Sequence, residues 1–144
     1  KNKEALFLEI VRHHIVALTD FVVEVVLSEG SVRVRPERFT EAYVQGAIDN
    51  ADVVKLLMTL QHPGDGTPEV DLMSMHTAAI QHLSSLFAEG MASGELRADI
   101  DPASAVMAFI GMVNLLCAAC VEGMPVPDNA PQKFLDIFFH GVGA

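Results

Sequence analysis

The sequence predicts an all-α protein, an antiparallel helical bundle of about six helices that forms a single domain over residues 1–144. Three observations carry this expectation. Apolar residues recur at i, i+3, i+4 and i+7 along several long segments, and no stretch alternates with the period of two that a strand needs. The segments are separated by short turns rich in Gly and Pro. A chain of 144 residues is also long enough to bury a real core.

The first helix is expected from Lys3, capped by Asn2, to about Leu27, with Ile10, His14, Ala17, Leu18, Phe21 and Val25 as one apolar stripe. Glu9, His13, Asp20 and Glu24 mark its wetter side. Lys1 and Lys3 stand where a cation opposes the helix macrodipole. They read either as a frayed, solvated end or as a contact to nucleic-acid phosphate. Residues 28–35 form a loop broken by Gly30, and Pro36 opens a second helix through Phe39, Tyr43, Ala47 and Asn50. A third, short helix runs from Ala51 to about Leu60 with Val54, Leu57 and Met58 apolar, and residues 62–68, HPGDGTP, are a loop. The fourth runs from Glu69 to about Ser93, with Leu72, His76, Ala79, Ile80, Leu83 and Phe87 on one face.

Gly94 is a natural left-handed stop for that helix, and Asp101 followed by Pro102 is a strong start for the next. The fifth helix, Pro102 to Val121, carries no charge. One stripe, Ser104, Ala108, Gly111, Leu115 and Ala118, is mostly small; the opposite one, Val106, Ile110, Val113, Cys117 and Cys120, is larger. A helix apolar all round is buried on both sides, so the small stripe is expected to meet a partner chain and the large one the core. A bilayer span is the rival for an uncharged run of this length. Its acidic flanks (Asp99, Asp101, Glu122) and the lack of interfacial Trp or Tyr favour the buried helix, and no membrane partner is expected. After a Pro-rich loop at residues 124–132, a sixth helix is expected from Pro131 to His140, stopping at Gly141.

The balance of the chain narrows the function. It is 51% apolar with a mean hydropathy of +0.35, an excess that suggests a subunit or a ligand covers part of the apolar surface. The net charge of −10 makes this segment repel nucleic acid, so it is not expected to read DNA by itself. Two cysteines in one apolar helix cannot build a disulfide framework, and a cytoplasmic location is expected. The opening residues mix charges with apolar side chains and do not read as a signal peptide. A chain that opens on Lys1 reads as the remainder of a longer protein or as a processed one.

Nothing in the sequence resembles an active site: there is no Gly-rich phosphate loop, no nucleophile elbow and no acidic metal cluster. The protein is expected not to be an enzyme and to need no cofactor or metal. Cys117 and Cys120 match a C-x-x-C spacing but sit late in a helix, where the dipole disfavours a thiolate. A redox or metal sensor built from these cysteines and His76 is a rival reading, set against small buried hydrophobes. His14 and His76 each interrupt an apolar stripe, and a polar tip in an apolar cavity is how a small-molecule pocket orients its ligand. Tyr43 and Asn114 qualify in the same way.

Two segments resemble a known family. Residues 1–8, KNKEALFL, are similar to the junction that follows the helix-turn-helix of TetR-family transcriptional regulators. Residues 87–111, FAEGMASGELRADIDPASAVMAFIG, resemble the turn between the seventh and eighth helices of that family. The order of helices matches the family's C-terminal regulatory domain over the whole chain. The resemblance implies a homodimer whose last two helices pair with their symmetry mates, and a cavity that takes a small apolar or amphipathic effector. It further implies that the effector shifts the first helix of this chain and releases operator DNA. Lys1 and Lys3 then fall near the DNA phosphates. The sequence departs from the family in containing no basic helix-turn-helix head, so operator DNA is reached only through a head missing from it. Chosen by helical face and residue chemistry, the expected effector-binding residues are His14, Phe21, Tyr43, Met58, His76, Phe109 and Asn114, and the expected dimer interface is Ala108, Gly111, Leu115, Ala118, Phe134 and Phe138. The alternative is a free-standing helical protein-interaction module without a small-molecule ligand.

Overall fold

The computed structural model describes residues 3–61 and 72–143. They form six helices: α1 (Lys3–Leu27), α2 (Val34–Asp49), α3 (Ala51–Gln61), α4 (Leu72–Ser93), α5 (Pro102–Val121) and α6 (Ala130–Val142). The expected start of α4 at Glu69, the loop at residues 62–68 and Lys1 lie outside the described residues.

Ring and hydrogen-bond contacts set the helix directions. Phe21 stacks on Phe39 and Arg35 reaches the Val26 carbonyl, so α1 and α2 are antiparallel. Phe87 meets Phe109 across α4 and α5, and Phe109 meets Phe138 across α5 and α6. Each of these pairs is closed by a short turn and is antiparallel. By contrast α1 and α4 run in the same direction: His14 lies within electrostatic reach of His76, and Arg35 joins Val26 to Glu89 one helix length further on.

The core is an aromatic chain. Phe21, Phe39, Phe109, Phe87 and Phe138 follow one another with ring centroids 5.5 to 5.9 Å apart, close enough for offset and edge contacts to add to simple burial. Small residues let the backbones close around it. A Cβ on Gly90 would stand 2.7 Å from Val32 Cγ1 and 2.9 Å from Leu96, so only glycine allows α4 to approach the turns on either side of it.

The local signals act as their chemistry requires. Gly94 ends α4 at φ +81, and the Asp101 carboxylate accepts from the Ser104 amide at 2.8 Å to start α5. Other boundaries differ from the sequence reading. α2 begins at Val34, because the Ser31 hydroxyl accepts from the Val34 amide and caps the helix two residues before Pro36. Pro36 then occupies the first turn, where no amide proton is needed. α6 continues through Gly141 to Val142, because the Val142 carbonyl accepts from the Arg97 amide at 2.9 Å and the tail is held against the turn before α5. The buried face of α1 is also displaced by about one residue. Val11, Ile15, Val22 and Val25 are buried, whereas Ile10 and Ala17 face solvent. With apolar residues on nearly every side of α1, spacing alone did not single out the face that packs.

One buried charge has no counterpart in the sequence reading. Arg35 is buried, donates to the Val26 carbonyl at 2.9 Å and to the Glu89 carboxylate at 2.5 Å, and so ties α2 to α1 and α4. The partner lies 54 residues away in sequence, beyond any local pattern.

Candidate functional site

Three of the seven expected effector residues, His14, Phe21 and Tyr43, are half-buried on α1 and α2. Phe21 and Tyr43 both stack on Phe39, with centroids 5.5 and 5.3 Å away, and Phe109 touches Phe39 at 5.9 Å. His14 lies two turns before Phe21 on α1. Burial pushes the Tyr43 phenol up to about 12, with the Cys117 thiol nearby adding to the effect. His14 is half-buried; burial lowers its pKa first, and the neighbouring His76 and His13 lower it further. A neutral imidazole and a protonated phenol therefore flank an aromatic wall, which suits an uncharged or amphipathic molecule better than an ion. Phe39, the ring that joins them, was not among the expected residues; its place one turn before Tyr43 was the available signal.

The remaining expectations divide. Met58 and His76 are half-buried on α3 and α4. Phe109 is fully buried and packed on Phe39, Phe87 and Phe138, so it fills the core rather than lining open space. Asn114 is corrected: it is exposed on the outer side of α5, about 60° round the helix from Gly111 at 3.6 residues per turn, and does not face the interior.

The second region is that outer side. Ser104, Ala108, Gly111 and Leu115 are exposed, Ala118 is half-buried, and Leu115 is 65% exposed. Met107, missed in the sequence reading, joins them. On α6 the exposed face differs from the expected one. Phe138 is buried against Phe87, Phe109 and Phe139 and is a core residue, while Ile137 is 73% exposed; Phe134 is half-buried. Five apolar residues around α6 left its register open, and the rings took the core. α5 is, among the described residues, the one helix long and apolar enough to cross a bilayer, with a mean hydropathy of 2.2. Its inner face, Val106, Phe109, Val113 and Leu116, nonetheless packs in the bundle core.

The cysteines lie on this helix as well. Burial, with Cys120 close by, pushes the Cys117 thiol up to about 12, which keeps it protonated and a poor nucleophile. Among the described residues no group of three or more His, Cys, Asp or Glu side chains is placed to hold a metal ion. Lys3 is exposed at the first turn of α1.

A third feature lies at the end of the bundle where α6 stops. A half-open groove of about 440 Å³ has Leu96 and Phe139 at its base and Ser31, Arg33, Glu95 and His140 along its sides. A smaller cavity of about 140 Å³ adjoins it, sharing Arg33 and Phe139. Neither is lined by an expected effector residue.

No family model matches this chain, and no curated protein matches it. Among solved structures it is similar to a protein of unknown function from Rhodococcus sp. RHA1, with a TM-score of 0.81 and 18% sequence identity, over 100% of this chain and 75% of that one. At that identity the likeness establishes the class, an all-α six-helix bundle, and leaves the function to the residues.

Proposed function

We infer that this chain is the effector-binding and homodimerisation domain of a TetR-like transcriptional repressor acting in the cytoplasm. The observation that carries the reading is the outer arc of α5, where Met107, Ala108, Gly111, Leu115 and Ala118 form an uncharged strip that is largely open to solvent. A single-chain bundle gains nothing from such a strip, whereas a second copy laid across it buries both strips by one symmetric contact. The resemblance of residues 1–8 and 87–111 to the regulator family supports the same reading. An apolar or amphipathic effector would lie against Phe21 and Tyr43, with His14 and His76 at its polar end, and would move α1 by favouring one of two placements of it. Operator binding requires a basic head, because a chain of net charge −10 is repelled by phosphate.

The alternative, a helical protein-interaction module with no small-molecule ligand, is favoured by one observation: the Phe21, Phe39, Tyr43 and Phe109 rings already touch one another. Sedimentation of the chain and of Leu115→Glu tests the inference. A dimer for the parent and a folded monomer for the variant are expected. A monomeric parent at micromolar concentration would overturn homodimerisation, and a parent dimer that takes up no apolar probe such as 1-anilinonaphthalene-8-sulfonate into its interior favours the alternative.

A further inference from the structure

We propose that α3 is a lid, hinged at Asn50, that opens apart from the bundle and admits an uncharged apolar or amphipathic molecule to the interior wall of Phe21 and Tyr43. What passes beneath the lid rests on the effector-binding reading; the separate opening of α3 does not.

The joint is a single residue. The Asn50 backbone amide at 3.1 Å and its side-chain amide at 2.9 Å both donate to the Gly46 carbonyl and end α2. The Asn50 carbonyl accepts from the Val53 and Val54 amides at 3.0 and 3.1 Å and starts α3. Asn50 itself stands outside helical geometry, at φ −120 and ψ 39, so two helices meet at one pair of soft dihedrals. Residues at the ends of elements are where such motions hinge.

The seat of α3 is shallow. Each of the other five helices contributes fully buried residues, whereas none of residues 51–58 is buried. Val53, Val54, Leu56, Leu57 and Met58 are all half-buried. α3 packs on α2 and α5; Val54 rests against the main core, and Leu57 against a separate small cluster of Val11 and Ile15 on α1. A helix of 11 residues has little stability of its own, and an element with few buried apolar contacts opens at a lower free energy than the whole domain. The opposite end of the bundle is tied: Arg35 joins the Val26 carbonyl to Glu89, the Glu95 carboxylate accepts from the Val32 amide, and the Arg97 amide donates to the Val142 carbonyl. Opening at the α3 end therefore leaves the frame in place.

Position makes the lid matter. Tyr43 lies two turns before Asn50 on α2 and beside Cys117 on α5, so α3 starts at the Tyr43 end of the interior. Val11 and Ile15, on which Leu57 rests, lie on either side of His14 in the chain. α3 thus reaches from the Tyr43 side of the wall to the His14 side, across the approach to both. The residues that seat it, Val54 and Leu57, are apolar, while Asp52 and Lys55 are exposed. A molecule held beneath α3 gains apolar contact from it and no ion pair, which selects an uncharged or amphipathic occupant.

The test is native-state hydrogen exchange of the full chain at urea concentrations below its unfolding transition, with uptake of the uncharged fluorophore N-phenyl-1-naphthylamine followed in parallel. The amides of Val54, Leu57 and Met58 are expected to exchange roughly a hundredfold faster than those of Val22, Leu86 and Phe109, and almost independently of urea, because a local opening exposes little surface. Leu57→Ala, at a half-buried position, is expected to speed exchange in α3 by about tenfold and leave the core amides unchanged. It is also expected to speed uptake of the fluorophore several-fold. Exchange of α3 with the urea dependence of the core, or a Leu57→Ala effect as large in the core as in α3, would overturn the lid, and uptake of the fluorophore in that case would leave the effector reading standing. Local opening of α3 with no uptake at all keeps the lid and overturns the effector reading. Uptake at a rate that Leu57→Ala does not change places the entrance elsewhere and overturns the gating role.

Discussion

The two sides of α5 carry similar amino acids and meet different surroundings. On the inner side Val106, Phe109, Val113 and Leu116 are buried among side chains of the bundle core, and three phenylalanine rings surround Phe109. On the outer side Met107, Gly111 and Leu115 face away from the bundle with no charged residue between them. Both sides are apolar, so hydropathy does not distinguish them; the aromatic contacts do. The side that carries Phe109 closes a core within one chain, and the side without a ring, where Ala108 and Gly111 lie between Met107 and Leu115, is left open for another chain to approach. The same chemistry thus serves folding on one arc and, in our reading, association on the other.

The largest effect that would test this division is at Phe109. Its replacement by Ala leaves a cavity walled by rings that cannot collapse, and a loss of about 3–5 kcal/mol is expected in denaturant unfolding. A loss below about 1 kcal/mol would mean that the inner arc is not the close-packed side. Gly90→Ala comes next. The added methyl meets Val32 and Leu96 at less than 3 Å, and overpacking of this kind costs about 1–3 kcal/mol. If Gly90→Ala is neutral, the α4 turns are looser than the contacts require.

A smaller effect sharpens the comparison from the interior side. Burial and two neighbouring histidines hold the folded-state pKa of His14 below its ordinary 6.5. The unfolded chain then binds more protons across the interval between the folded and unfolded values, so stability rises with pH through that interval. The contribution is fully present above about 6.5 and is lost as pH falls toward the lowered value. His14→Gln is expected to flatten this part of the profile, measured as the denaturant midpoint between about pH 7.5 and 5. A slope unchanged by the substitution would assign it to a group other than His14.

These residues also show what could be read from the sequence. Gly94, Asp101 and Pro102 act through bonds to residues within four positions, and the turn they form was legible for that reason. The small and large stripes of α5 were legible because size separates them. Registers failed where a helix has more apolar residues than its buried face can hold: on α6 Phe138 is buried and Ile137 exposed, and the buried face of α1 moved by about one residue. Asn114 failed for another reason. An amide side chain suits a pocket and a solvent-facing arc equally, and only the helix position decides. The Arg35–Glu89 tie and the groove around Arg33 were out of reach, since each joins segments that meet only after the chain has folded.

The smallest expected effect on the fold is also the most discriminating. Ile137 projects from α6 with 73% of its surface exposed, on the helix that follows α5 through one short loop. In an isolated chain Ile137→Lys removes no buried contact, so its unfolding free energy should stay within about 0.5 kcal/mol of the parent under conditions where both are monomeric. If α6 joins the outer arc in an interface between two copies, the same lysine places a charge in a desolvated contact and the dimer dissociates. Measuring unfolding and sedimentation on one sample separates the two roles. Unchanged stability with loss of the dimer assigns Ile137 to association alone. Loss of stability in the monomer would place it in the core beside Phe138, and the boundary between the two arcs would have to be redrawn.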